Sequence, residues 1–263
     1  MWLANDENCD PQHSRHWHIK EAEQGNPMAM FLHAKRVPLF SSISSSSSQE
    51  VERIMMKRAA ESGFGRAQNE FAMWHREGTN GVEKNVEEAK RWFESAMRLG
   101  EEDAALNLGQ ILLNENNIKG AVDLFRVAAR NGSSAANMNM GVAHIKGAGG
   151  CERNLSKAMK WFRDSNSADG FYQVYKTLQT YNQENNLTSQ DEEERCWLKR
   201  AAMAGHENAI LLEATKVLED GDNDYNAAIR WYKKLALVTG SSSTRAKALS
   251  AIRYLESSGH ESL

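Results

Sequence analysis

A chain of 263 residues with 41% hydrophobic and 25% charged side chains has the makeup of a folded domain, and only three prolines leave long helices possible. A formal charge of −3, with 32 basic against 35 acidic residues, argues against nucleic acid as the main partner, because phosphate binding needs a concentrated basic face. No run approaches the roughly 18 apolar residues of a membrane span, and the acidic start at Asp6, Glu7 and Asp10 is unlike a secretory leader.

Cys9, Cys151 and Cys196 are odd in number and far apart, which suits neither a disulfide framework nor a zinc site. They fit a reducing compartment, so a cytoplasmic or nuclear location is expected.

In chain order, residues 1–16 carry no periodicity and read as a flexible tail. Trp17, Ala22 and Gly25 then look like a second helix without its first. The first full module, 26–63, has Ala29 and Ala34 at small positions and a second helix containing Met55, Ala59 and Ala60. Between them Ser41–Ser48 is almost entirely serine. Such a run buries too little apolar surface to offset its ordering entropy, so a mobile loop is expected over 41–48. A neutral expansion is the favoured reading of it over a regulated or partner-binding loop, since loop insertions cost little.

The module at 64–100 is the clearest. Ala67, Phe71, Ala72 and His75 share one helical face, and Gly78 and Gly81 end that helix. Asn85, with Glu88 three residues on, reads as an N-cap with a capping box opening a helix whose stripe is Ala89, Trp92, Phe93 and Ala96. Gly100 closes it as a C′ glycine.

Module 101–132 is five residues shorter, the loss lying in the loop NENNIK, with Ala104, Leu108, Gly109 and Leu112 before the loop and Ala121, Leu124 and Ala128 after it. Module 133–170 restores the full loop, with Ala136, Met140, Gly141 and His144, then Asn154, Ala158, Trp161 and Phe162. In 171–205, the most divergent module, Val174 and Leu178 mark a first helix, NQENNLTSQDEEE a long connection, and Trp197, Ala201 and Ala202 a second helix. Module 206–240 has Ala209, Ala214 and Val217, then Ala228, Trp231 and Ala236. A last helix with Ala246, Ala251 and Tyr254 would close the array, with Arg245, Lys247, Arg253 and Glu256 as its polar outer face.

The tryptophan-equivalent positions, Trp17, Met55, Trp92, Leu124, Trp161, Trp197 and Trp231, are thus spaced by 32 to 38 residues. Tryptophan is expected to fill the space between modules, while the alanines let antiparallel helices approach closely. Two helices cannot bury such a stripe alone, so copies must stack. The expected fold is all-α, a right-handed superhelical α-solenoid of stacked antiparallel helix pairs spanning 17–257, with half-modules at its ends.

The pattern resembles the Sel-one-like repeat, a relative of the tetratricopeptide repeat. The matching residues are Ala67, Gly78, Gly81, Val82, Ala89, Trp92, Ala96 and Gly100, and Ala136, Met140, Gly141, Gly147, Gly150, Lys157, Ala158 and Trp161. Histidine replaces the family's tyrosine at His75 and His144, and asparagine its aspartate at Asn85 and Asn154. The resemblance implies a scaffold that holds protein partners together rather than a catalyst.

Candidate chemistry is sparse. Cys9, His13, His16 and His18 suggest metal ligands, but no second cluster completes a site, and a solvated tail is the simpler reading. His75 and His144 occupy one repeat position, which points to shared packing rather than acid–base work. GAGG at 147–150 follows a helix rather than a strand, the wrong context for a dinucleotide site. No cofactor or metal is expected. Charge pairs such as Glu87 with Arg91 and Glu94 with Arg98 read as solvated helix faces.

If the kinship with tetratricopeptide repeats carries over, first helices line a concave wall. Counting from the small residue that starts each stripe selects Asn69 and Arg76, Asn107 and Gln110, and Asn139 and Lys146 as a partner-binding set exposed in the free protein. Asparagine amides offer donor and acceptor together to a peptide backbone, and the cations suit acidic groups. The function expected is a non-enzymatic adaptor for a protein or peptide segment. Two alternatives remain at this stage, a hydrolase of the kind attributed to cysteine-rich relatives and an RNA-binding helical repeat.

Overall fold

Stripes of alanine and large apolar residues, bounded by glycine and asparagine, produce helices and little else. The computed structural model describes residues 20–36, 46–187, 191–219 and 224–260, and among these there is no strand. The chain divides into two compact units, Met1–Asn131 and Gly132–Leu263.

In the first unit α1 (Pro27–Arg36) pairs with α2 (Ser46–Glu61), α3 (Gly65–Glu77) with α4 (Val86–Arg98), and α5 (Glu102–Asn114) with α6 (Ile118–Arg130). A helical turn at 20–23 carrying the buried Ala22 precedes them. In the second unit α7 (Ser134–Lys146) pairs with α8 (Leu155–Asp164), α9 (Ala168–Glu184) with α10 (Asp191–Ala204), and α11 (Glu207–Glu219) with α12 (Tyr225–Val238), before α13 (Ser242–His260). Within each unit every helix packs against the next in the chain, the sequential stacking of an α-solenoid.

The packing refines the sequence expectation in one respect. Trp92, Trp161, Trp197 and Trp231 are only half-buried, whereas the residue after the tryptophan place is buried in α2, α4, α6, α8 and α10 as Met56, Phe93, Phe125, Phe162 and Leu198. One residue turns a helix by about 100°, enough to move a side chain from the seam into the partner helix. Phe93 sits four residues past Ala89, on the inward stripe, while Trp92 touches the apolar clusters on both sides of α4. Trp92, and in the same way Trp197, is therefore a shared filler between successive pairs, and the buried residue beside it is the filler within a pair. Trp17 lies outside the described residues.

What faces that buried ring is a missing side chain. A Cβ at Gly109 would stand 2.7 Å from the Phe125 ring, and one at Gly141 would press still harder into Phe162. The two glycines share one repeat position, where α3 carries Ala72 and α11 carries Ala214, both fully buried. The size of this residue sets how near the two helices of a pair come.

Turn geometry repeats with the same economy. Gly78 and Gly147 end α3 and α7 in the left-handed region, each donating its N–H into the preceding turn. Asn85 and Asn154 then cap α4 and α8, accepting from the N–H of Glu88 and Lys157 at 3.0 and 2.8 Å. The expected capping box is not formed. The Asn85 N–H instead donates to the His75 carbonyl at 2.8 Å, and Glu88 reaches Arg91 at 3.3 Å. Glu94 meets Arg98 at 3.8 Å as expected, while Glu87 turns to Lys90 at 3.0 Å.

Two connections differ from their sequence reading. α9 runs on to Glu184 and α10 starts at Asp191, so most of NQENNLTSQDEEE is helix rather than loop. The reason is a buried polar pair, in which the Asn182 amide donates to Glu194 Oε1 at 2.9 Å and the two polar residues become an interhelical contact. α2 begins at Ser46, so Ser46–Ser48 belong to a helix drawn together by the buried Met56, Ala59 and Ala60. The rest of the polyserine stretch and the tail 1–16 lie outside the described residues.

Two tests follow from the packing. Alanine at Gly141 would gain about 1 kcal/mol in helix propensity, but overpacking a fixed aromatic ring costs about 1–3 kcal/mol. Because Phe162 is fully buried the clash wins, so Gly141→Ala and Gly109→Ala should lower stability in denaturant melts, whereas Gly→Ala at an open helical site would raise it. The second concerns Glu52. Second helices carry alanine four residues before the buried filler, as Ala89, Ala121 and Ala158, but α2 carries Glu52 and α10 carries Glu194. Glu194 has its amide partner. Burial raises the Glu52 carboxyl above the usual 4.5, so the folded protein holds its proton more tightly than the unfolded chain. Ionised Glu52 therefore costs stability at neutral pH, a cost that vanishes as pH falls below its folded pKa. Glu52→Gln should raise the melting temperature at pH 7.5 and lose that advantage near pH 4.

Candidate functional site

In a stacked helix pair the second helix supplies a large buried side chain such as Phe93, and the first helix keeps a face for other contacts. In the first unit α1, α3 and α5 are tied side by side across that face. Lys35 Nζ of α1 donates to Glu70 Oε1 of α3 at 2.7 Å, and Asn107 Nδ2 of α5 donates to Asn69 Oδ1 of α3 at 3.0 Å.

The structure thus brings Asn69 and Asn107 together and half-buries both, correcting the expectation that they stand exposed. First helices approach closely enough here for amides one module apart to bond. Each amide has a donor and an acceptor side. The bond uses one proton of Asn107 Nδ2 and the oxygen of Asn69, which leaves the Asn69 amide nitrogen and the Asn107 oxygen for a ligand.

The other expected residues are placed singly. Gln110 is exposed on α5, and Arg76 is half-buried with its guanidinium 2.8 Å from Glu77 Oε1. In the second unit, on α7, Asn139 is half-buried and Lys146 is exposed in the last turn. Sequence reading missed Lys35, although it stands six residues past Ala29 as Gln110 stands six past Ala104. Comparing charges between neighbouring modules at these offsets would have found the pair with Glu70. A second tie, Lys90 Nζ to Glu115 Oε1 at 2.6 Å, joins α4 to the end of α5, and these acceptors hold the ammonium above its ordinary pKa.

His75 and His144 stand in the last turns of α3 and α7. The backbone carbonyl of each accepts the N–H of the following N-cap asparagine, at 2.8 and 2.9 Å. His144 Nδ1 lies 3.1 Å from the Glu152 carbonyl, and the His75 ring packs edge-on against Phe71 at 4.7 Å. Burial holds His75 below its ordinary pKa. The His144 ring thus reaches the interhelical loop while the His75 ring packs on its own helix, and these contacts account for histidine at one repeat position. Cys9, His13, His16 and His18 lie outside the described residues, and within the described residues no group of three or more His, Cys, Asp or Glu is placed to hold a metal ion. Among them also no helix is long and apolar enough to cross a membrane.

These features define a class, the α-solenoids built from helix-pair repeats. The Sel1 repeat model matches residues 65–101, 102–133, 134–164, 197–206 and 217–237, and the chain belongs to the Sel1 repeat family. None of the curated proteins matches it. Among solved structures it is similar to a Sel1 repeat protein from Oxalobacter formigenes, at 21% identity and a TM-score of 0.69 over 87% of this chain and 94% of that one. It is also similar to c5321, a protective antigen of uropathogenic Escherichia coli strains with an SLR fold, at 18% identity and a TM-score of 0.52 over 91% of this chain and 64% of that one. These likenesses establish the fold. Families built from such repeats are commonly protein-interaction scaffolds and generally not catalysts.

The amide bond itself is open to measurement. A double-mutant cycle of Asn69→Ala and Asn107→Ala in urea should give a coupling of about 0.5–1.5 kcal/mol, since the pair is half-buried and joins two modules. A coupling of zero would mean that the two amides act separately.

Proposed function

We propose that the protein is a non-enzymatic adaptor, cytoplasmic or nuclear, whose first-helix faces bind a segment of a partner protein. The observation that carries this reading is the Asn69–Asn107 amide pair, a neutral donor and acceptor held in place by its own hydrogen bond. A peptide backbone has the same two groups at each residue, so this pair suits an extended main chain. Gln110 extends the polar surface along α5, and Arg76 adds a cation for acidic side chains. In the second unit Asn139 and Lys146 would serve the same ends from α7.

Affinity capture with the full chain, identification of the partner and its reduction to a minimal segment come first. Titration calorimetry with that segment then tests the surface. Asn107→Ala with Asn139→Ala should weaken binding several-fold, about 1 kcal/mol or more for the pair, with the fold intact by circular dichroism. Lys146→Glu should weaken binding further if the segment is acidic. Undiminished affinity in all of these variants would move the binding surface to the second helices.

A further inference from the structure

Most capped helices here use an oxygen. Asn85, Ser133, Asn154, Ser167 and Asp224 each accept the N–H of the residue three places on. At the start of α11 the place belongs to His206, whose carbonyl accepts the Ile210 N–H at 3.0 Å while its ring Nδ1 accepts the Ala209 N–H at 3.2 Å. A ring nitrogen accepts only while it carries no proton. The cap therefore requires the neutral tautomer protonated at Nε2, and Nε2 lies 3.7 Å from Asp169 Oδ1 of α9. The ring stacks on Tyr172 of the same helix with centroids 4.0 Å apart, and the His206 side chain is 14% exposed.

We propose that His206 is a pH-sensitive cap, closing the α10–α11 turn while its imidazole is neutral and releasing the start of α11 when it is protonated. Protonation places a hydrogen on Nδ1 that faces the Ala209 N–H, so an acceptor becomes a second donor and the bond is lost. The residues behind the cap give this local event reach. Ala209 and Ile210 are fully buried against the cluster that holds Phe171 of α9 and Leu198, Ala201 and Ala202 of α10.

The charges around the ring decide the direction. Asp169 from α9 and Glu207 from α11 both favour the cation, while burial disfavours it and is the larger influence, so His206 lies below its ordinary 6.5. Asp169 is 76% exposed, which screens its pull. From α10, Arg200 lies over the Phe171 ring, and from α12, Lys234 donates to the Met203 carbonyl three residues before His206. Neither cation favours a charged imidazole. With the folded pKa lowered, the unfolded chain binds more protons near pH 6, so the cap's contribution is complete above about 6.5 and is lost as pH falls through the folded value.

The test uses the full chain. Nitrogen-detected NMR should show His206 as the Nε2–H tautomer titrating below the ordinary value, and hydrogen exchange, corrected for intrinsic rate, should show protection of the Ala209 amide falling about fivefold from pH 7.5 to about one pH unit below that midpoint, as for loss of one helix cap. His206→Asn, which caps at any pH, should remove that loss. His33, His75 and His144 stay in both proteins, so the difference between the two reports on His206. Asp169→Asn, at an exposed site, should leave the fold intact and move the His206 midpoint lower still. A midpoint at or above the ordinary value, an Ala209 amide equally protected at both pH values, or an acid loss of the same size in His206→Asn would overturn the proposal.

Discussion

The structure depends on one close approach, a buried side chain of the second helix pressed against a first-helix position too small to resist it. Phe125 against Gly109 and Phe162 against Gly141 show the limit, because neither glycine has room for a methyl group. Dense interiors do not yield to such a change, so the rest of each pair must accommodate it. Alanines along the second helix let the backbones meet, the tryptophan fills the gap to the next pair, and the glycine or asparagine turns deliver the chain at the right angle.

The repeat itself was plain in the sequence because stacking demands periodicity that no other constraint would produce. Helix pairs, small positions and N-cap asparagines could be read from spacing. The division of labour between Trp92 and Phe93 could not, since adjacent apolar residues look alike until a helix is given its rotation. Polar residues misled for a related reason. Asn182 and Glu194 read as loop because nothing in a single chain shows that each will supply the other's hydrogen bond. Counting selected Asn69 and Asn107 on first helices, but could not show the bond between them, which depends on the distance between modules.

Glutamate at the alanine place of α2 and α10 shows how the same substitution differs with its surroundings. Glu194 is satisfied by an amide from the preceding helix, whereas burial raises the pKa of Glu52. Polar groups in such a position cost stability unless a partner is supplied. A helix-pair stack tolerates one such position because each module depends mainly on its immediate neighbours.

The residues that set the spacing of a pair and those displayed on its first helix hardly overlap. Gly109, Phe125 and Ala121 hold α5 to α6, while Asn107 and Gln110 point elsewhere on the same α5. The spacing of a pair and the surface its first helix presents are therefore separately writable in this chain. Substitutions on the first-helix face can change the proposed partner surface while the pair keeps its spacing, which makes the helix pair a unit that could be copied, shortened in its loop as at residues 101–132, or given a new surface without being refolded.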